Sequence, residues 1–134
     1  MMLASYWPSI VYDKQYYRIA TSMFLHFGNT HIMNNMIILF AIGSKAEMLL
    51  GKFRYILLYF ISGLLAGTVS MVYNMINGYL TVSAGASSAI FGLTGAMLRI
   101  TFTDRHRRGG LTVKQMLLFS AMSLYGGLTD ASTD

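Results

Sequence analysis

The sequence predicts an all-α fold, a polytopic membrane helix bundle, on three observations. The 134 residues are 54% hydrophobic and 11% charged, with a mean hydropathy of +0.51. An ordinary soluble domain carries about 25% charged residues, and a chain this short has too little interior to hide such an apolar excess. Residues 55–98 form a 44-residue stretch without one charged side chain. Eight of the ten basic residues fall in two clusters beside apolar segments: Lys45, Lys52 and Arg54, then Arg99, Arg105, Arg107, Arg108 and Lys114.

Four spans follow from these patterns, since about 20 apolar residues cross a bilayer as helix. Residues 30–46 form a short span studded with His31 and Asn35, and residues 55–76 a clean one. Asn77-Gly78-Tyr79 and the segment 83–86 make an uncharged connector. A third helix, 87–101, carries Ala89, Gly92 and Ala96, small residues that permit close helix contact in lipid. Thr112 is the expected N-cap of a fourth helix, 113–125, which Gly126-Gly127 is expected to end. The whole chain, 1–134, reads as one membrane domain.

Charge sets the expected orientation. Two spans separate the basic clusters, so both lie on one side, expected to be cytoplasmic by the positive-inside rule. Ser87 then starts its helix on the opposite side, and His26 and His31 lie near that side too. The same distribution excludes nucleic acid as the partner, because a nucleic-acid site interleaves basic residues with aromatic platforms on a soluble face. His106, among arginines in the turn at 104–110, reads as part of a headgroup-facing cluster. There is no cysteine, which removes disulfides and thiol nucleophiles, and no metal or cofactor is called for.

The chemistry-bearing residues stand out against the apolar background. Imidazole, carboxamide and hydroxyl groups inside spans are a functional-site hypothesis by default. Ser87 follows a glycine-rich turn, Gly85-Ala86, at the start of a helix. His31 and Asn35 are four residues apart, hence on one helical face. A nucleophile and donors able to hold an oxyanion are the parts of a serine hydrolase. Taken singly, a Gly-x-Ser turn is more often helix packing than a nucleophile, and Arg18 also fits an interfacial anchor beside Tyr16 and Tyr17.

The ordered set is more specific. Tyr17-Arg18, Thr21, Phe24-Leu25-His26, Gly28, His31 and Asn35-Met36, continued by Gly43, Glu47 and Gly51, resemble the opening of rhomboid intramembrane serine proteases. Gly85-Ala86-Ser87 with Phe91 and Gly95 resembles the rhomboid nucleophile helix. The resemblance implies Ser87 as catalytic nucleophile, with His31 and Asn35 helping its backbone N–H hold the oxyanion. It implies structural roles near the site for His26, Gly85 and Phe91, and bracing roles for Arg18 and Glu47. The implied partners are transmembrane protein substrates in the lipid bilayer, and the implied location is the cell membrane, with the site open to the extracytoplasmic side.

Two departures accompany the resemblance. Ser88 stands where the family usually has glycine. The family's general base, a histidine in a Gly-His-x-x-Gly type sequence of the last core helix, has no counterpart before Asp134. The expectation is therefore an incomplete rhomboid with about four of six core helices, lacking the first helix and the last, His-bearing one. As such the 134 residues alone are expected to be inactive. The competing class is a non-catalytic rhomboid-like protein that binds client transmembrane helices.

Overall fold

The computed structural model describes residues 2–26, 28–83, 86–103 and 112–131. Among these the regular structure is helical, joined by short turns, with one isolated antiparallel bridge, Ser5 with Ser83. Two short helices come first, α1 (Trp7–Val11), with Pro8 in its first turn, and α2 (Tyr17–Thr21), which continues as a 3₁₀ turn over Ser22–Phe24. Four longer helical runs follow.

The first run joins α3 (Asn29–Ile38) to α4 (Ser44–Leu50) through a π-helical turn, Leu39–Gly43, without a break. It ends at Gly51, whose φ of +81° is open to glycine and strained for other residues. The next helix, α5 (Lys52–Ile76), is about 37 Å long at 1.5 Å per residue, enough to cross a hydrocarbon core of about 30 Å. Its end is a Schellman motif: Tyr79 N–H donates to the Asn74 carbonyl at 2.9 Å and Gly78 N–H to that of Met75 at 3.3 Å, with Gly78 at φ +67°.

The last two helices are α6 (Ser87–Thr103) and α7 (Val113–Ala131). Thr112 caps α7 within a reciprocal box. Gln115 N–H donates to Thr112 Oγ1 at 3.2 Å, and Thr112 N–H to Gln115 Oε1 at 2.9 Å. The helix runs through Gly126-Gly127, where the sequence suggested a stop. Each glycine costs a helix about 1 kcal/mol relative to alanine, and that penalty alone does not turn the chain away.

The runs Asn29–Leu50 and Lys52–Ile76 are long and apolar enough to cross a membrane, with mean hydropathies of 1.2 and 1.9. Only 6% of the most apolar window of α5 is buried by protein, so its Phe53, Phe60, Leu65 and Val69 need another apolar medium. Among the described residues a hydrophobic cluster forms the core between these helices. Ile38, Ile42 and Ala46, a stripe at fourfold spacing, cluster with Ala86, with Ile90, Leu93 and Met97 of α6, and with Met116 of α7. On its other side α6 lies very close to α5. A Cβ at Gly92 would strike the Ser62 side chain, and one at Gly63 would strike Met23 and touch Ala89. The small residues at 89 and 92 thus serve the α5–α6 contact.

Candidate functional site

Ser87 is the first residue of α6, and the Ala86 carbonyl accepts the first helical bond, from Ile90 N–H at 3.1 Å. The N–H groups of Ser87 and Ser88 therefore lie in the first turn, which has no intrahelical acceptors, at the positive end of the helix dipole. Such a position suits negative charge developing beside the Ser87 hydroxyl. Gly85 lies outside the described residues.

Helical geometry separates the two serines. The stripe Ala86, Ile90, Leu93 and Met97 faces α3 and α7. Successive residues turn by about 100°, so Ser87 sits on one flank of that stripe with Phe91 four residues on. Ser88 turns further, to a cavity of about 60 Å³ that it shares with Ser5, Ser22, Gly63, Ser70 and Ser83. Five serines line that space, which is roomy enough for ordered water. Ser87 and Ser88 are both half-buried but face different surroundings.

His31 and Asn35 are buried on the face of α3 that continues into Ile38 and Ile42. Ile38 belongs to the same core cluster as Ala86 and Ile90, and Asn35 lies one turn before it on α3. His26, in the loop before α3, meets His31 edge to face with ring centroids 5.2 Å apart. Burial, and next the neighbouring His31, push the His26 pKa below the usual 6.5, with the Phe24 backbone acting in the opposite direction. A neutral imidazole is thereby favoured next to His31. Among the described residues no group of three His, Cys, Asp or Glu is placed to hold a metal ion.

The amino-terminal segment organises this end of the bundle, a role the sequence did not announce. Ser5 and Ser83 exchange both backbone hydrogen bonds at 2.9 Å, and Trp7 Nε1 donates to the Tyr79 carbonyl at 2.9 Å. The connector into Ser87 is thus tied at two points. The segment is held in turn by α2. The buried Arg18 donates through Nη1 to the Ala4 carbonyl at 3.1 Å and through Nε to Gln15 Oε1, and Thr21 Oγ1 donates to the Leu3 carbonyl at 2.7 Å. Arg18 is a brace for the loop. Gln15, Ser5, Trp7 and Ser83 carry no sequence signal for these roles, because a two-residue bridge has no periodicity. His106 and the arginines around it lie outside the described residues.

Fold and site together define a class: a helical membrane protein with a serine at a helix start and a His/Asn pair on the helix it packs against. A family model described as the rhomboid domain matches residues 13–133. The chain belongs to the rhomboid family. It is 38% identical over 115 residues to RHOMBOID-like protein 7 of Arabidopsis thaliana, covering 84% of this chain and 36% of the relative. To rhomboid protease GluP of Bacillus subtilis (strain 168) it is 32% identical over 97 residues, 72% of this chain and 18% of the relative. To rhomboid protease AarA of Providencia stuartii it is 36% identical over 92 residues, 60% and 33% of the two chains. The chain thus spans about a third or less of the length of these relatives. No solved structure matches it.

Proposed function

We propose that this chain is the nucleophile-bearing part of an intramembrane serine endopeptidase that cleaves transmembrane segments of membrane proteins. The observation that carries the reading is the placement of Ser87 in the first turn of α6, against the helix whose buried face bears His31 and Asn35. Ser87 Oγ attacks a backbone carbonyl of a locally unwound substrate helix. The oxyanion is held by the Ser87 N–H together with His31 and Asn35, collapse of the tetrahedral species expels the amine with the proton taken from Ser87, and water then hydrolyses the Ser87 ester. A hydroxyl is a weak nucleophile near neutral pH without a base. In this reading the base is a histidine that the full-length protein supplies beyond Asp134. The described imidazoles, His26 and His31, are engaged with each other.

The distribution of basic residues supports a cytoplasmic Lys45–Arg54 turn and an extracytoplasmic site, in a cell membrane. The test is cleavage of a transmembrane reporter by the full-length protein in liposomes. Ser87→Ala should abolish it. Asn35→Ala should lower turnover on the order of tenfold to a thousandfold, as for loss of one oxyanion donor. Cleavage unaffected by Ser87→Ala would refute the assignment.

A further inference from the structure

The first three turns of α5 carry a groove remote from Ser87. Arg54, Leu57, Leu58 and Ile61 share one helical face, at the spacing i, i+3, i+4 and i+7, and Leu50 at the end of α4 walls the other side across the Gly51 turn. Together they line an open groove of about 300 Å³. Four of its five walls are aliphatic side chains, and the fifth is the Arg54 side chain, whose stem lines one end. Arg54 is exposed and has no ion-pair or hydrogen-bond partner among the described residues. Leu57 and Ile61 are also open to the outside, at 47% and 45% exposure.

The occupant follows from length and charge. From Arg54 to Ile61 the groove runs about 10 Å along the helix axis, a third of the roughly 30 Å over which a crossing helix would pack. That is too short for a helix and suitable for part of an acyl chain. The cation sits at the end of α5 where the charged cluster Lys45, Lys52 and Arg54 marks the boundary with water. Basic clusters at that boundary attract anionic lipid. We propose that this groove is a binding site for an anionic glycerophospholipid, one acyl chain lying against Leu50, Leu57, Leu58 and Ile61 and the phosphate on Arg54.

The test uses the delipidated full-length protein in neutral detergent, titrated with phosphatidylglycerol or with phosphatidylcholine of the same chains, and read by native mass spectrometry. The wild type should bind phosphatidylglycerol about fivefold more tightly, and Arg54→Gln should reduce it to the level of phosphatidylcholine. Leu57→Trp, which fills the groove from an exposed position, should weaken both lipids. Lys45→Gln removes the same charge away from the groove and should leave the preference intact. Far-UV circular dichroism confirms that each variant is folded. Equal binding of the two lipids by the wild type, or equal losses from Arg54→Gln and Lys45→Gln, would overturn the site. Binding of glycerophosphate as tight as that of phosphatidylglycerol would overturn the role of the acyl chain.

Discussion

Ser5 and Ser83 pair backbone to backbone across 78 positions of sequence, each N–H on the other's carbonyl at 2.9 Å. Four residues after Ser83 comes Ser87, so the pairing holds the approach to the candidate nucleophile. It also makes the amino-terminal segment a part of the site's scaffold, because Ala4 and Leu3 are fastened to Arg18 and Thr21 of α2.

Removing the bridge donor should therefore be felt at Ser87. Ser5→Pro deletes one N–H and should cost about 1–2 kcal/mol of stability, since the Ser83 carbonyl loses its partner. Cleavage by the full-length protein should fall several-fold. Ser5→Ala keeps both backbone bonds and should stay within about twofold. Unfolding in mixed micelles, alongside reporter cleavage, provides both readings; equal behaviour of the two variants would remove the bridge from the account.

Close approach of α5 and α6 makes a second, independent demand. Gly92→Val places carbon where Ser62 already stands, and overpacking of this kind costs about 1–3 kcal/mol. Gly67→Ala meets only Ile19 at ordinary contact distance, 3.6 Å, and should be tolerated. Melting temperatures of the two variants decide the point. A similar drop for both would mean that glycine serves backbone flexibility rather than helix contact.

Burial of His26, with His31 beside it, predicts a pH dependence of stability. The folded-state pKa of His26 is depressed from 6.5, so the unfolded chain binds more protons in the window below 6.5. Stability from this source is complete above 6.5 and is lost as pH falls through the window toward the depressed value. His26→Gln should flatten the decline measured between pH 7.5 and 5. An unchanged slope would place the acid sensitivity elsewhere.

Much of the fold is legible in the sequence because helices in an apolar chain announce themselves by length. The charge-free stretch contains all of α5 after its first turn and most of α6, and Thr112 is readable as a cap because Gln115 stands three residues on. The site is legible as chemistry, since Ser87, His31 and Asn35 are polar groups in apolar surroundings. What escapes the sequence is geometry without a repeat. The π turn at Leu39–Gly43 has the same composition as the helix around it, and the five-residue helices α1 and α2 are too short to carry a period. The different surroundings of Ser87 and Ser88 escape it too, since no repeat marks the cavity that Ser88 shares with Ser22, Ser70 and Ser83.

The central claim is that Ser87 is the nucleophile, and labelling with a fluorophosphonate probe tests it most directly. In the full-length protein the probe should modify Ser87, identified by peptide mass spectrometry. Ser87→Ala should abolish labelling and proteolysis together, while Ser88→Ala should preserve most of each. The 134 residues alone should react at least a thousandfold more slowly, as expected for a serine without its base. Labelling that persists in Ser87→Ala and disappears in Ser88→Ala would contradict the nucleophile assignment, and rapid labelling of the 134 residues alone would contradict the Ser–His dyad.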